Sequence, residues 1–122
     1  MQSIPEELKE TIGPDEQIRF YLRQRIYHPR INIDSVLITT DRIFLLHLHA
    51  LGIRKDHTDF NFKDISNVVL EKGVLRSTVR CVLRYGGEPL ALSGLANSDA
   101  EQAYAVIREN LARYQPAVNG AA

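Results

Sequence analysis

Apolar and polar positions switch period twice along the chain. Ile4, Leu8 and Ile12 recur at helical spacing behind Ser3-Ile4-Pro5-Glu6, in which Ser3 caps, Pro5 opens the first turn and Glu6 follows the cap by three residues. Gly13-Pro14 ends this short N-terminal helix. From residue 18 the period is two. Ile18, Phe20 and Leu22 alternate with Arg19, Tyr21 and Arg23, which predicts a strand with the first set inside and the second outside. Residues 28–34 read as a connection, and residues 35–40 and 42–49 as the two arms of a tight hairpin, rich in Ile, Val, Leu, Phe and Thr. Further strands fall at residues 54–62, 66–72 (closed by Gly73), 77–85 (closed by Gly86-Gly87) and 88–93. Pro89 fits only at the start of the last of these or on an edge.

The second switch comes at residue 98. Ala100, Ala103, Tyr104, Ile107, Leu111 and Tyr114 form one apolar stripe at i, i+3, i+4 spacing. Ser98 and Glu101 fit a capping box, Glu109 and Arg113 an i, i+4 pair, and Pro116 a stop beyond Tyr114. The expectation is a mainly β chain with terminal helices: a seven-stranded, bent antiparallel barrel or sandwich, capped by one C-terminal helix, with a short N-terminal helix. Residues 1–17 are the helix and its exit, 18–114 the domain proper, and 115–122 a flexible tail.

Composition narrows the function. The 122 residues are 44% apolar, and 15 Lys+Arg balance 15 Asp+Glu. That balance argues against a high-pI nucleic-acid protein. No apolar run approaches the length of a membrane span, and no basic-then-apolar leader opens the chain. A lone cysteine, Cys81, excludes an internal disulfide or a thiolate zinc cluster. The expected location is the cytoplasm. The zero is nevertheless uneven: residues 1–17 carry −4, residues 18–90 carry +5 and residues 91–122 carry −1. Eleven of the basic residues are Arg, which holds anions bidentately.

Three groups of residues invite a chemical reading. Arg76, Arg80 and Arg84 fall on one face of one strand, either a partner surface or a solvated face balanced by cross-strand acids; Ser77, Val79, Cys81, Leu83 and Tyr85 then face the core. His47 and His49 share a strand face and could begin a metal site if Asp41, Asp56, His57 or Asp59 joined them; the plainer reading is a polar outer face, so no metal and no cofactor is expected. Cys81 reads as a small core hydrophobe, and neither a nucleophile elbow, a Gly-rich phosphate loop nor HExxH is present, so no catalytic residue is assigned. Finally, residues 54–62 and 66–72 read as open strand edges, which pair with other chains.

The order of elements resembles the pleckstrin-homology (PH) superfold, and the local sequence is similar to small bacterial PH-like domains of the YokE-like and GRAM-related group. The stretches that carry this are Val36-Leu37-Ile38-Thr39-Thr40-Asp41-Arg42-Ile43-Phe44 and Asp64-Ile65-Ser66-Asn67-Val68-Val69-Leu70-Glu71-Lys72-Gly73-Val74-Leu75-Arg76-Ser77-Thr78-Val79, with Gly13-Pro14-Asp15-Glu16 leading into the first strand. The resemblance covers roughly residues 5–114. It implies a binding or scaffold module without catalysis. Together with the uneven charge, it points to a protein partner, most simply a second copy in a homo-oligomer, with the acidic N-terminal helix meeting a neighbour's basic face or packing on its own barrel; a small-ligand or metal-binding domain centred on His47 and His49 is a further alternative. In lipid-binding PH domains, basic residues around the loop joining the first two strands hold phosphates. Arg23, Arg25, His28 and Arg30 fall there, so an anionic lipid surface is the alternative partner.

Overall fold

Alternation from residue 18 gives β1 (Ile18–Tyr27), β2 (Asn32–Thr39), β3 (Arg42–Leu48) and β4 (Lys55–Asn61). A single 3-10 turn (Phe62–Asp64) then leads into β5 (Ile65–Lys72), β6 (Arg76–Leu83) and β7 (Leu90–Ala96). The expected N-terminal helix is reduced to five residues, α1 (Glu6–Glu10), and the C-terminal helix is α2 (Asn97–Tyr114). The computed structural model describes Ile4 and residues 6–27, 32–48 and 55–114.

All pairings are antiparallel, in the order β4-β3-β2-β1-β7-β6-β5. The strands form two sheets joined at the Tyr27–Ser93 pair of β1 and β7. The barrel does not close: β4 and β5, the segments expected to be open edges, are the two ends of the strand order. Beyond Leu92, the β6–β7 register slips and Gly94 takes φ 78°, a left-handed value that a Cβ disfavours. This bulge carries β7 on to Ala96, past the expected end at residue 93.

The main core lies between the sheets and α2. It holds Phe20, Leu22, Ile38, Phe62, Val79, Cys81 and Leu92 from the β half, and Ala100, Ala103, Ile107 and Leu111 from the helix stripe. A second, smaller core sits on the other face of β1–β3: Tyr21, Leu37 and Phe44, covered by Ile4, Ile12, Ile18 and Leu46. This corrects the expected facing of β1. A register shift between Ile18 and Phe20 puts Ile18 on the same side as Tyr21, which is buried instead of exposed. The N-terminal segment packs on its own sheet through Ile4 and Ile12. At the far end of β6, Tyr85 lies beyond the strand and is 83% exposed, against the expectation that it faces the core.

Candidate functional site

A polar node fixes the fold, and beside α2 a groove leaves room for a partner. The node begins with the β2–β3 turn. The Thr39 hydroxyl accepts the N–H groups of Asp41 (3.1 Å) and Arg42 (3.0 Å), a side-chain-to-backbone turn that explains Thr-x-Asp-Arg at this hairpin. It also donates to Glu16. Arg42 grips the same carboxylate at two points, Nε to Oε2 at 3.1 Å and Nη2 to Oε1 at 2.7 Å. The guanidinium further holds Asp59 at 3.0 Å and lies 4.5 Å from the centre of the Phe44 ring.

The Glu16 side chain is 2% exposed, and Oε1 also accepts the Gly13 N–H at 2.9 Å. Burial pushes its carboxyl up, yet Arg42, Thr39 and Gly13 together outweigh that and hold it below the ordinary carboxylate range. The same carboxylate raises Arg42 further above its already high value, against the opposing effect of burial. The last turns of α2 reach this node. Asn110 donates to the Thr39 carbonyl, and the Tyr114 hydroxyl donates to Asp41 at 3.0 Å, its ring stacked 6.3 Å from Phe62. Burial first, then Asp41, raises the Tyr114 phenol. The Glu16 carboxylate and the Thr39 hydroxyl are engaged by the chain itself, so the node ties residues 13–17, the hairpin and α2 together.

The groove runs between the edge strand β5 and α2, with a volume of about 200 Å³. Val68 and Leu111 supply apolar floor, Tyr104 and Ala112 the helix wall, and Ser66 and Asn67 polar groups on the strand. Arg108 completes the lining, and among the described residues no hydrogen bond or ion pair engages it. Beside this groove β5 is paired, among the described residues, on one side only, to β6. An unpaired strand edge next to an apolar trough with one free cation can accept an extended segment by strand addition. Sequence reasoning marked the β5 edge but missed the helix side. The signal was present: Arg108 sits at i+4 from Tyr104 and i−3 from Leu111, a cation on the margin of the apolar stripe.

Arg76, Arg80 and Arg84 each meet a different neighbour within the chain. Arg80 pairs with Glu71 of β5 at 3.2 and 3.1 Å, a diagonal cross-strand contact; Glu71 is held low by it and Arg80 raised. Arg84 lies past the end of β6 and donates to the carbonyls of Lys63 (2.9 Å) and Ile65 (3.4 Å), and Arg76 meets the Gly94 carbonyl at 3.5 Å. Arg23 is exposed on β1; Arg25 is in β1 with its side chain outside the described residues, where His28 and Arg30 also lie. His47 stands opposite Asp56 in the β3–β4 register, and His49 is outside the described residues. Of their possible co-ligands, Asp41 is engaged by Tyr114 and Asp59 by Arg42. Among the described residues no three potential ligands converge. Cys81 is fully buried, and burial pushes its thiol up to about 12.

Seven antiparallel strands in two sheets, left open at β4 and β5 and closed over by one C-terminal helix, define a PH-like architecture. The family model for the bacterial PH domain matches residues 12–109, and the chain belongs to that family. Solved structures agree on the fold. The chain is similar to a DUF1696 family protein with a pleckstrin-homology domain from Shewanella loihica PV-4 (TM-score 0.70, 16% identity, 87% of this chain and 88% of that one). It is also similar to a pleckstrin homology domain from Shewanella amazonensis SB2B (0.58, 17%, 89% and 82%) and to the Vps36 N-terminal PH domain (0.64, 14%, 84% and 83%). No curated protein matches the chain by sequence.

Proposed function

We propose that this chain is a binding module without catalysis, which takes an extended protein segment along the free edge of β5 beside α2, and that its simplest partner is a second copy. The observation that carries this reading is the pairing of β5, among the described residues, on one side only, next to a groove lined by Ser66, Asn67, Val68, Leu111 and Arg108. The exposed backbone of an edge strand gives affinity to any extended segment, and the groove selects its side chains. Two copies pairing antiparallel along β5 satisfy each other through a two-fold axis, so the assembly closes. The binding-module class is common to PH-like folds, and the carboxylates and the thiol described above are engaged or buried.

Light scattering at tens of micromolar tests self-association. The expected mass is a multiple of the 13.8 kDa chain. Replacing Ser66 and Asn67 together by Lys, which places charge on the edge, should return the protein to monomer mass. A wild-type protein that stays monomeric at those concentrations overturns the second copy as partner.

A further inference from the structure

Glu101 and Arg108 lie about two turns apart on α2 and so share one face of the helix. That face is turned to β5. Glu101 pairs with Lys72 at the end of the strand at 2.5 Å, and Arg108 lines the groove beside Ser66, Asn67 and Val68. α2 therefore runs antiparallel to β5, with the acid over the end of the strand and the base over its beginning. The Glu101 side chain is 48% exposed and has room for a second cation. Arg108 is exposed, and among the described residues no hydrogen bond or ion pair engages it.

The strand fixes which backbone groups are on offer. The Gly73 N–H donates to the Arg76 carbonyl at 2.9 Å, so Gly73 turns its groups toward β6. Through the pairs Glu71–Thr78, Val69–Arg80 and Asn67–Val82, alternate residues do the same, and the N–H and C=O groups of Val68, Leu70 and Lys72 face the open side. A second copy running antiparallel meets these with its own Val68, Leu70 and Lys72. Leu70 opposite the partner's Leu70 sets the partner's Lys72 against Val68; Leu70 opposite the partner's Val68 sets it against Ser66. In both registers the partner's Lys72, with its Glu101, arrives at the part of the groove that Arg108 lines.

Resting on the reading of β5 as the edge where a second copy pairs, we infer that Arg108 of each copy forms an ion pair with the partner's Glu101, and that these two reciprocal contacts select the chain itself over other extended segments. A lone Arg takes any carboxylate; here the two-fold axis returns an acid to the place where the base stands unpaired. α2 packs on β6 and β7 as well as on β5, which sets it back from the edge and leaves the groove as clearance between the two helices.

Two opposite charge reversals test this. Arg108→Glu sets acid against acid at both contacts, and Glu101→Arg sets base against base. Light scattering at tens of micromolar should give the wild type the mass of two chains and each variant the mass of one, with association weakened more than about tenfold. Mixed in equal amounts, the two variants complement each other at both contacts, and the mass of two chains should return. Circular dichroism should be unchanged in both, because both side chains are exposed. A dimer that survives Arg108→Glu but not the replacement of Ser66 and Asn67 by Lys leaves the β5 edge standing and overturns the ion pair. A mixture that stays monomeric also overturns it, as does a wild-type mass above two chains, which a single two-fold axis does not give. A monomeric wild type overturns the edge and the ion pair together.

Discussion

Asn110 of α2 donates through its side-chain amide to the backbone carbonyl of Thr39, 2.9 Å away and 71 residues earlier in the chain. Both residues are fully buried, and the Asn110 Oδ1 has no hydrogen-bond partner among the described residues. The amide thus fastens the helix to the end of β2 at the expense of one unpaired oxygen. Asn110→Ala leaves the Thr39 carbonyl without this donor and is expected to cost about 1–3 kcal/mol, read from urea unfolding. Asn110→Asp is expected to cost more at neutral pH, because a carboxylate would then face a carbonyl.

The Glu16–Arg42 contact gives a pH dependence. The Glu16 carboxyl is held low in the folded chain, so its contribution is complete above the unfolded value of about 4.3 and is lost as pH falls from there through the lower folded value. Acid titration followed by circular dichroism should show the wild type losing stability over that interval, and Glu16→Gln losing less of it. At neutral pH Glu16→Gln should cost about 2–3 kcal/mol, somewhat under the figure for a fully buried pair because the Arg42 side chain is 26% exposed.

The small core under the N-terminal segment should behave as part of the fold. Leu37→Ala is expected to cost about 2–5 kcal/mol, and Ile12→Ala, at a half-buried position, about 1–2 kcal/mol. Thermal unfolding of the two variants should show this order; an Ile12→Ala midpoint equal to wild type would mean that the segment does not cover the sheet.

Cys81 supplies a built-in reporter. Burial and a thiol pushed up to about 12 predict no reaction with aromatic disulfides in the native state at pH 8. Its labelling rate in rising urea should follow the fraction unfolded, and rapid labelling without urea would contradict the burial.

Arg80 makes the opposite case. Its contact with Glu71 is bidentate but lies at the surface, where solvent screens it, so Arg80→Ala should leave stability almost unchanged. Equilibrium unfolding at low and high salt should give nearly the same difference between variant and wild type.

The β elements were legible because period-two alternation is local, and the α2 stripe because its apolar spacing is strict. What escaped was set by events the period does not record. The register shift between Ile18 and Phe20 moved Ile18 to the face of Tyr21, and with Ile4 and Ile12 it buries that face. Asn110 was invisible because a polar residue inside a helix is ordinarily solvated, and only the tertiary position of Thr39 gives it a partner. The capping box around Ser98 misplaced the start of α2 by two residues, since the helix begins at Asn97, whose side chain serves the β5–β6 turn. Open edges were readable from the order of strands; the groove was not, because it exists only where β5 and α2 meet.

The order in which the core is assembled carries a kinetic consequence. β7 lies between β1 and β6, and α2 follows it, so residues 90–111 join the two sheets and supply Ala100, Ala103, Ile107 and Leu111 to the main core. During synthesis the strands therefore leave the ribosome before the piece that completes the main core exists. Folding is expected to be a late, single cooperative event once α2 has emerged, with the earlier strands dependent on chaperones until then.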